Sequence, residues 1–149
     1  MSVNSMKNVP YSRAWSDGFL LPKGSYWIGD PCLALPQEDW HNLFLNSEKF
    51  PINNMFGAVY KGKLIVALGV ERGDGRYVDN ESYTYTVDSG FIGFVPEKFV
   101  KEDSPHYSQN LSKLGRYAKF EEDFQVSVNK HGIMCENINI LTTFAKKQK

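Results

Sequence analysis

The stretch that decides the fold is Tyr77–Pro96, YVDNESYTYTVDSGFIGFVP. Successive side chains of a strand point to opposite faces, so a half-buried strand carries a period of two. Tyr83-Thr84-Tyr85-Thr86-Val87 has that period. Asp88-Ser89-Gly90 is a turn, and Phe91–Val95 is a second short strand closed by Pro96. On the other side, Tyr77-Val78 begins a strand that Asp79-Asn80-Glu81 turns back.

The same rhythm continues outward. Leu64–Val70 reads as the most buried strand, joined to Phe56–Tyr60 by the tight turn Lys61-Gly62-Lys63. Arg72-Gly73-Asp74-Gly75-Arg76 contains Asp-Gly, so a hairpin is expected there. Ser25–Ile28 reads as a strand between Pro22-Lys23-Gly24 and the breaker Gly29-Asp30-Pro31, after which Cys32–Leu35 is expected to resume extended chain. Phe124–Val128 and Ile133–Glu136 form a hairpin across Asn129-Lys130-His131-Gly132, and Ile138–Leu141 is a final strand. One amphipathic helix is expected over about 37–48: Glu38 and Asp39 suit a positive helix N-terminus, and Trp40, Leu43 and Phe44 share a face. A second helix is a candidate over about 111–120, with Lys113, Arg116 and Lys119 on one face, after a helical turn and loop over 97–110. The expected class is mainly β or α+β, an antiparallel sheet or sandwich of short strands. Residues 1–149 form a single domain in this reading, with a loosely held N-terminal arm at 1–18 and a frayed basic tail at 145–149.

With 149 residues and 42% hydrophobic content the chain can bury a real core. Seventeen basic residues balance seventeen acidic ones, which argues against a strongly basic nucleic-acid binder. The balance is uneven locally. Asp74–Asp103 holds seven acidic and three basic residues, and the Lys113, Arg116, Lys119 stripe follows. Such patches can dock a protein partner or a second copy of the chain. No apolar run approaches the roughly 20 residues of a membrane helix, and Met1–Val9 has no signal-peptide core. A cytoplasmic protein without membrane association is therefore expected. No Walker or dinucleotide fingerprint, EF-hand loop or zinc-spaced Cys/His cluster is present, so no cofactor or metal is expected.

Candidate chemistry gathers at turns. Asp30, Asp74, Asp79 and Asp88 lie at strand ends. One reading is turn chemistry, with Asp accepting backbone N–H bonds two residues on. The other is a convergence of carboxylates that binds a ligand or works as an acid–base pair. Cys32 is a candidate nucleophile if His41, His106 or His131 lies beside it; otherwise it is a small buried hydrophobe. The catalytic candidates are thus Cys32, Asp30, Asp74 and Asp88. The ligand-binding candidates are Asp30, Asp74, Tyr77, Asp79, Asp88 and Ser89. Cys32 and Cys135 are two reduced thiols, or one disulfide if the fold brings them together.

Four motifs occur together: Trp27-Ile28-Gly29-Asp30-Pro31-Cys32, Trp40 on the following helix, Gly73-Asp74-Gly75-Arg76-Tyr77, and Val87-Asp88-Ser89-Gly90-Phe91-Ile92-Gly93. Over about residues 24–96 this set resembles an uncharacterised family of small bacterial and phage proteins, departing at Leu33, where an aromatic is expected. The resemblance implies a shared fold unit and a phage or bacterial origin, and no reaction. The function expected is that of a non-enzymatic accessory protein binding a host or bacterial protein or a small ligand, inhibition of a host factor being one form. A small hydrolase built on Cys32 or the Asp set, and a structural or assembly component that forms homo-oligomers, are the alternatives.

Overall fold

The computed structural model describes residues 18–46, 48–50, 55–70, 73–103, 111–129 and 132–146. The expected arm, apart from Gly18, lies outside them, as do His106, His131 and residues 147–149. The strands are β1 (Gly18–Leu21), β2 (Gly24–Gly29), β3 (Glu48–Phe50), β4 (Met55–Tyr60), β5 (Lys63–Gly69), β6 (Gly75–Asp79), β7 (Thr84–Val87), β8 (Phe91–Pro96), β9 (Arg116–Phe120), β10 (Phe124–Asn129), β11 (Gly132–Cys135) and β12 (Ile138–Lys146). The helices are α1 (Pro31–Ala34), α2 (Gln37–Asn46), α3 (Glu97–Asp103) and α4 (Leu111–Leu114).

Two six-stranded antiparallel sheets result. One has the order β1-β10-β11-β12-β6-β7 and the other β3-β4-β5-β8-β2-β9. Period two sorts their side chains. Tyr26 and Ile28 of β2, Leu64, Val66 and Leu68 of β5, and Ile92 and Phe94 of β8 face a shared core with Phe19, Tyr77, Tyr85, Phe124, Val126 and Ile140 of the other sheet. The alternate residues, Trp27, Ile65, Ala67 and Val95, face outward. There they are covered by Leu35, by Trp40 and Leu43 of α2, by Phe99 and Val100 of α3, and by Leu111 of α4. The architecture is sheet on sheet, with a helical layer on the second sheet. Among the described residues no helix is long and apolar enough to cross a membrane.

The chain changes sheet at β1–β2, β5–β6, β7–β8 and β9–β10. That corrects one expectation. Gly73-Asp74-Gly75 does not close a hairpin, because β5 and β6 belong to different sheets and the segment carries the chain between them. The Lys61-Gly62 turn does close one, with φ of 51° and 85° at its two corners. Cys32–Ala34 is also not extended, and the chain returns to an extended conformation only at Leu35. Asp30 caps a helical turn whose first residue is Pro31, and proline is preorganised for that position.

The second expected helix is confined to Leu111–Leu114. It stops at Gly115, whose neighbours decide the outcome. A Cβ there would run into the Ile28 carbonyl oxygen and would lie 2.6 Å from the Trp27 ring. The chain passes flat against β2, and Arg116–Phe120 then pairs with Gly24–Ile28. The charges at 113, 116 and 119 therefore do not form a helical stripe. At the C-terminus, Ala145 and Lys146 belong to β12, where Lys146 pairs with Arg76, so the expected fraying does not begin at 145.

Gly115→Ala should lower stability by about 2–4 kcal/mol, because the backbone of β2 cannot yield. Gly62→Ala, at a turn with open space around it, should cost about 1 kcal/mol from its positive φ alone. Urea denaturation followed by tryptophan fluorescence checks the difference, and equal effects would contradict the packing described.

Candidate functional site

Three motif segments meet at one corner of the sandwich. β2 ends at Gly29, which pairs with Gly93 of β8. The Trp27 ring covers Gly29, leaving no room for a Cβ, and Pro31 leaves none at Gly93. The Val-Asp-Ser-Gly turn between β7 and β8 lies against the residue after β2, Asp30. On β6, Gly75 pairs with Val87, which brings Asp74 beside the same turn. Tyr77 donates its hydroxyl to the Gly73 carbonyl at 2.6 Å. The motifs are thus parts of one packed unit.

Asp30 is the centre of this corner. It has no solvent exposure. One carboxylate oxygen accepts the Cys32 N–H at 3.0 Å and the Ser89 hydroxyl at 2.6 Å. The other accepts the Asp88 and Ser89 N–H groups, each at 2.6 Å. A buried carboxylate is costly unless hydrogen-bonded, and four donors from two segments meet that need. The side chains of Asp74 and Asp88 point into solvent. Cys32 lies next to Asp30, half-buried and unoxidised. Burial pushes its thiol up to about 12, and the charges of Asp30 and Asp88 add to the effect. A thiol so placed is a poor nucleophile at neutral pH.

Asp79 forms a second knot at the β6–β7 turn. One oxygen accepts the Glu81 and Tyr83 N–H groups at 2.8 and 3.0 Å. The other accepts the Tyr85 hydroxyl at 2.6 Å and Arg116 Nη1 at 2.8 Å. Arg116 also binds Glu81 through Nη2 at 2.5 Å. Its guanidinium carbon lies 4.0 Å from the centre of the Tyr83 ring. The pair couples the first strand residue of β9 in one sheet to the turn of the other. In the sequence Arg116 stood out only as part of a basic stripe with Lys113 and Lys119, and not as a partner of Asp79. Its 35-residue separation from Glu81 and 37 from Asp79 leaves no local signal.

Electrostatics follow the geometry. Burial alone would raise the Asp79 carboxyl. The bonds from Tyr85, Arg116 and two backbone N–H groups outweigh it and hold the group below the usual carboxylate range. Burial, with the neighbouring Asp79, pushes the Tyr85 phenol far up. Despite partial burial, Glu81 and Asp79 hold Arg116 firmly protonated. Cys135 lies in the inter-sheet core, away from Cys32 in the helical layer, so the two do not pair. Burial raises it to about 12 as well. His41 is exposed on α2. No group of three His, Cys, Asp or Glu side chains among the described residues is placed to hold a metal ion.

The described clefts open elsewhere, and none of their walls includes Asp30, Cys32, Asp74, Asp88 or Ser89. One, of about 400 Å³, lies at the opposite end of β2 and carries Lys23, Lys63 and Lys98. Another, of about 580 Å³, follows β9 and faces the β11–β12 turn. Comparison with family models, with curated proteins and with solved structures finds no match.

Three outcomes follow. Asp79 titrates lower folded than unfolded, so its stabilisation is present above the ordinary carboxylate range, about pH 4, and is lost as pH falls below it. Asp79→Asn should flatten the acid limb of a plot of stability against pH. Arg116→Met should cost about 3 kcal/mol in the native background, by leaving a buried carboxylate without its cation, and clearly less in Asp79→Asn. Equal costs in both backgrounds would refute the coupling. Separately, neither thiol should react appreciably with a disulfide reagent at pH 8 until the protein is unfolded. Rapid native labelling of Cys32 would contradict the environment described.

Proposed function

We propose that this protein is a non-catalytic binding protein, an accessory protein of the phage or bacterial kind whose partner is a host or bacterial protein. The observation that carries this reading is the state of Asp30. The carboxylate best placed for acid–base work has no exposure and accepts four internal hydrogen bonds. Its neighbour Cys32 is disfavoured as a thiolate. Acid–base or nucleophilic catalysis needs a group that can reach substrate and change protonation near neutral pH. The phage or bacterial setting comes from the motif resemblance alone.

What remains for function is the surface of a rigid body. Tyr83 is 47% exposed while its ring is held by Arg116, and Val59 is 48% exposed on β4. An aromatic already ordered in the free protein loses little freedom on binding, which suits it to anchor an interface. Arg76 on β6 is exposed on a different strand.

Affinity capture from a bacterial lysate tests the reading. Substituting Tyr83, Val59 or Arg76 with Ala, one patch at a time, should weaken recovery of a specific partner about tenfold or more for at least one patch. Uniform recovery across all three variants, or no partner at all, would count against it.

A further inference from the structure

We infer that the cleft at the start of β2 binds a small organic phosphate, a phosphomonoester carried on an apolar body. The site is separate from the surfaces proposed above for a protein partner and includes none of Tyr83, Val59 and Arg76.

Antiparallel pairing builds the cleft. β8 lies between β5 and β2 and runs against both. Its C-terminal end therefore lies beside the first residues of the other two. Tyr26 pairs with Pro96 on one side, and Val66 pairs with Phe94 on the other. Three segments distant in sequence end together: the Pro22-Lys23-Gly24 turn, Lys63 at the head of β5, and Glu97-Lys98 where β8 runs into α3. Each brings one lysine. The space between them is about 400 Å³, within the roughly 300–1,000 Å³ of small-molecule sites.

The three ammonium groups are uncompensated. All are exposed, and among the described residues none forms an ion pair. Lys119, by contrast, has Glu121 at 4.0 Å. Lys98 Nζ stands 5.6 Å from the centre of the Phe99 ring, a contact that steadies the charge without neutralising it. Three lysines against Glu97 leave the cleft with a formal charge of +2. The whole chain has none, so the excess belongs to this cleft and not to a generally basic surface.

Chemistry narrows the ligand. A phosphomonoester carries nearly two negative charges at neutral pH, which matches the excess. No arginine stands in the walls. A planar carboxylate is best held by the guanidinium fork, whereas ammonium groups act as point charges and can approach the three oxygens of a phosphate from separate directions. Pro22, Pro96 and Tyr26 supply an apolar wall, and Ser25 adds a hydroxyl. The Tyr26 hydroxyl is already given to the Pro22 carbonyl at 2.7 Å, which fixes the ring against the turn. The two proline rings are rigid. An apolar body seated on that wall, with its phosphate among the lysines, uses every side of the cleft.

The test titrates the isotope-labelled full-length protein with phenyl phosphate and follows amide chemical shifts. Saturable shifts should centre on residues 23–26, 63 and 97–98, and binding should weaken as salt rises. Phenyl sulfate has the same body with one charge, and inorganic phosphate has the charge without the body. Each should bind at least about fivefold more weakly. Lys23→Gln, Lys63→Gln and Lys98→Gln should each weaken phenyl phosphate about threefold, the size of an exposed ion pair, and the triple variant should lose it. All three side chains are exposed, so the substitutions leave the core intact. Lys61→Gln, two residues from Lys63 but outside the cleft and over the Tyr60 ring, should leave the affinity unchanged. No saturable binding, shifts scattered over the surface, phenyl sulfate or inorganic phosphate binding as tightly, or an equal loss in Lys61→Gln would overturn the proposal. Partner capture should be the same for the triple lysine variant as for the native protein, so this site and the partner surface stand or fall separately.

Discussion

One buried carboxylate holds the corner on which this fold depends. Asp30 has no contact with solvent and four donors around it, from the start of α1 and from the turn between β7 and β8. That turn is where the chain leaves one sheet for the other. Removing the acceptor would leave three N–H groups and a hydroxyl without their partner, at roughly 1–3 kcal/mol for each buried group that water cannot reach. A set of bonds of that size is comparable with the entire net stability of a domain, typically about 5–15 kcal/mol. The arrangement also explains the residues around it. Pro31 starts a helical turn that Asp30 caps, and Gly93 must lack a side chain because Pro31 lies on it.

Asp79 repeats the solution at the other end of β7. There the donors are two backbone N–H groups, a phenol and a guanidinium. The guanidinium comes from β9, so this knot also fastens one sheet to the other. Other crossings use the same device on a smaller scale. Asp123 accepts the Lys23 N–H at 2.9 Å, joining the β1–β2 and β9–β10 connections. Tyr26 donates to the Pro22 carbonyl at 2.7 Å, and burial raises its phenol to about 12. Apolar packing supplies most of the attraction between the sheets. The polar knots decide where the chain turns over.

Much of this was legible in the sequence because it is local. The period of Tyr83–Val87, the apolar run of Leu64–Val70 and the Trp40–Leu43 spacing each register within one element, and the mainly β architecture follows from them. The turn role of Asp30 and Asp79 was one of two readings open for them; their partners were not readable, since Ser89 is 59 residues from Asp30 and Arg116 is 37 from Asp79. The errors have the same origin. Lys113, Arg116 and Lys119 fit a helical spacing, but Gly115 lies too close to β2 for a helix to pass, and pairing with β2 decided the outcome. Asp74-Gly75 has hairpin chemistry, yet its flanking strands pair with different partners. The Asp-Pro signal before α1 was present and was read as a break, where an N-cap followed by proline also marks a helix start.

The central claim is that Asp30 is a structural acceptor closed within the fold and not a group held ready for chemistry. Native-state hydrogen exchange at the Asp88 and Ser89 amides tests it most directly. Amides bonded to a fully buried carboxylate at a sheet crossing should exchange only through global unfolding, at rates set by the same free energy as the amides of β5. Exchange at those two amides orders of magnitude faster than in β5 would mean that the corner opens on its own, and would return Asp30 and Cys32 to the surface as reactive groups.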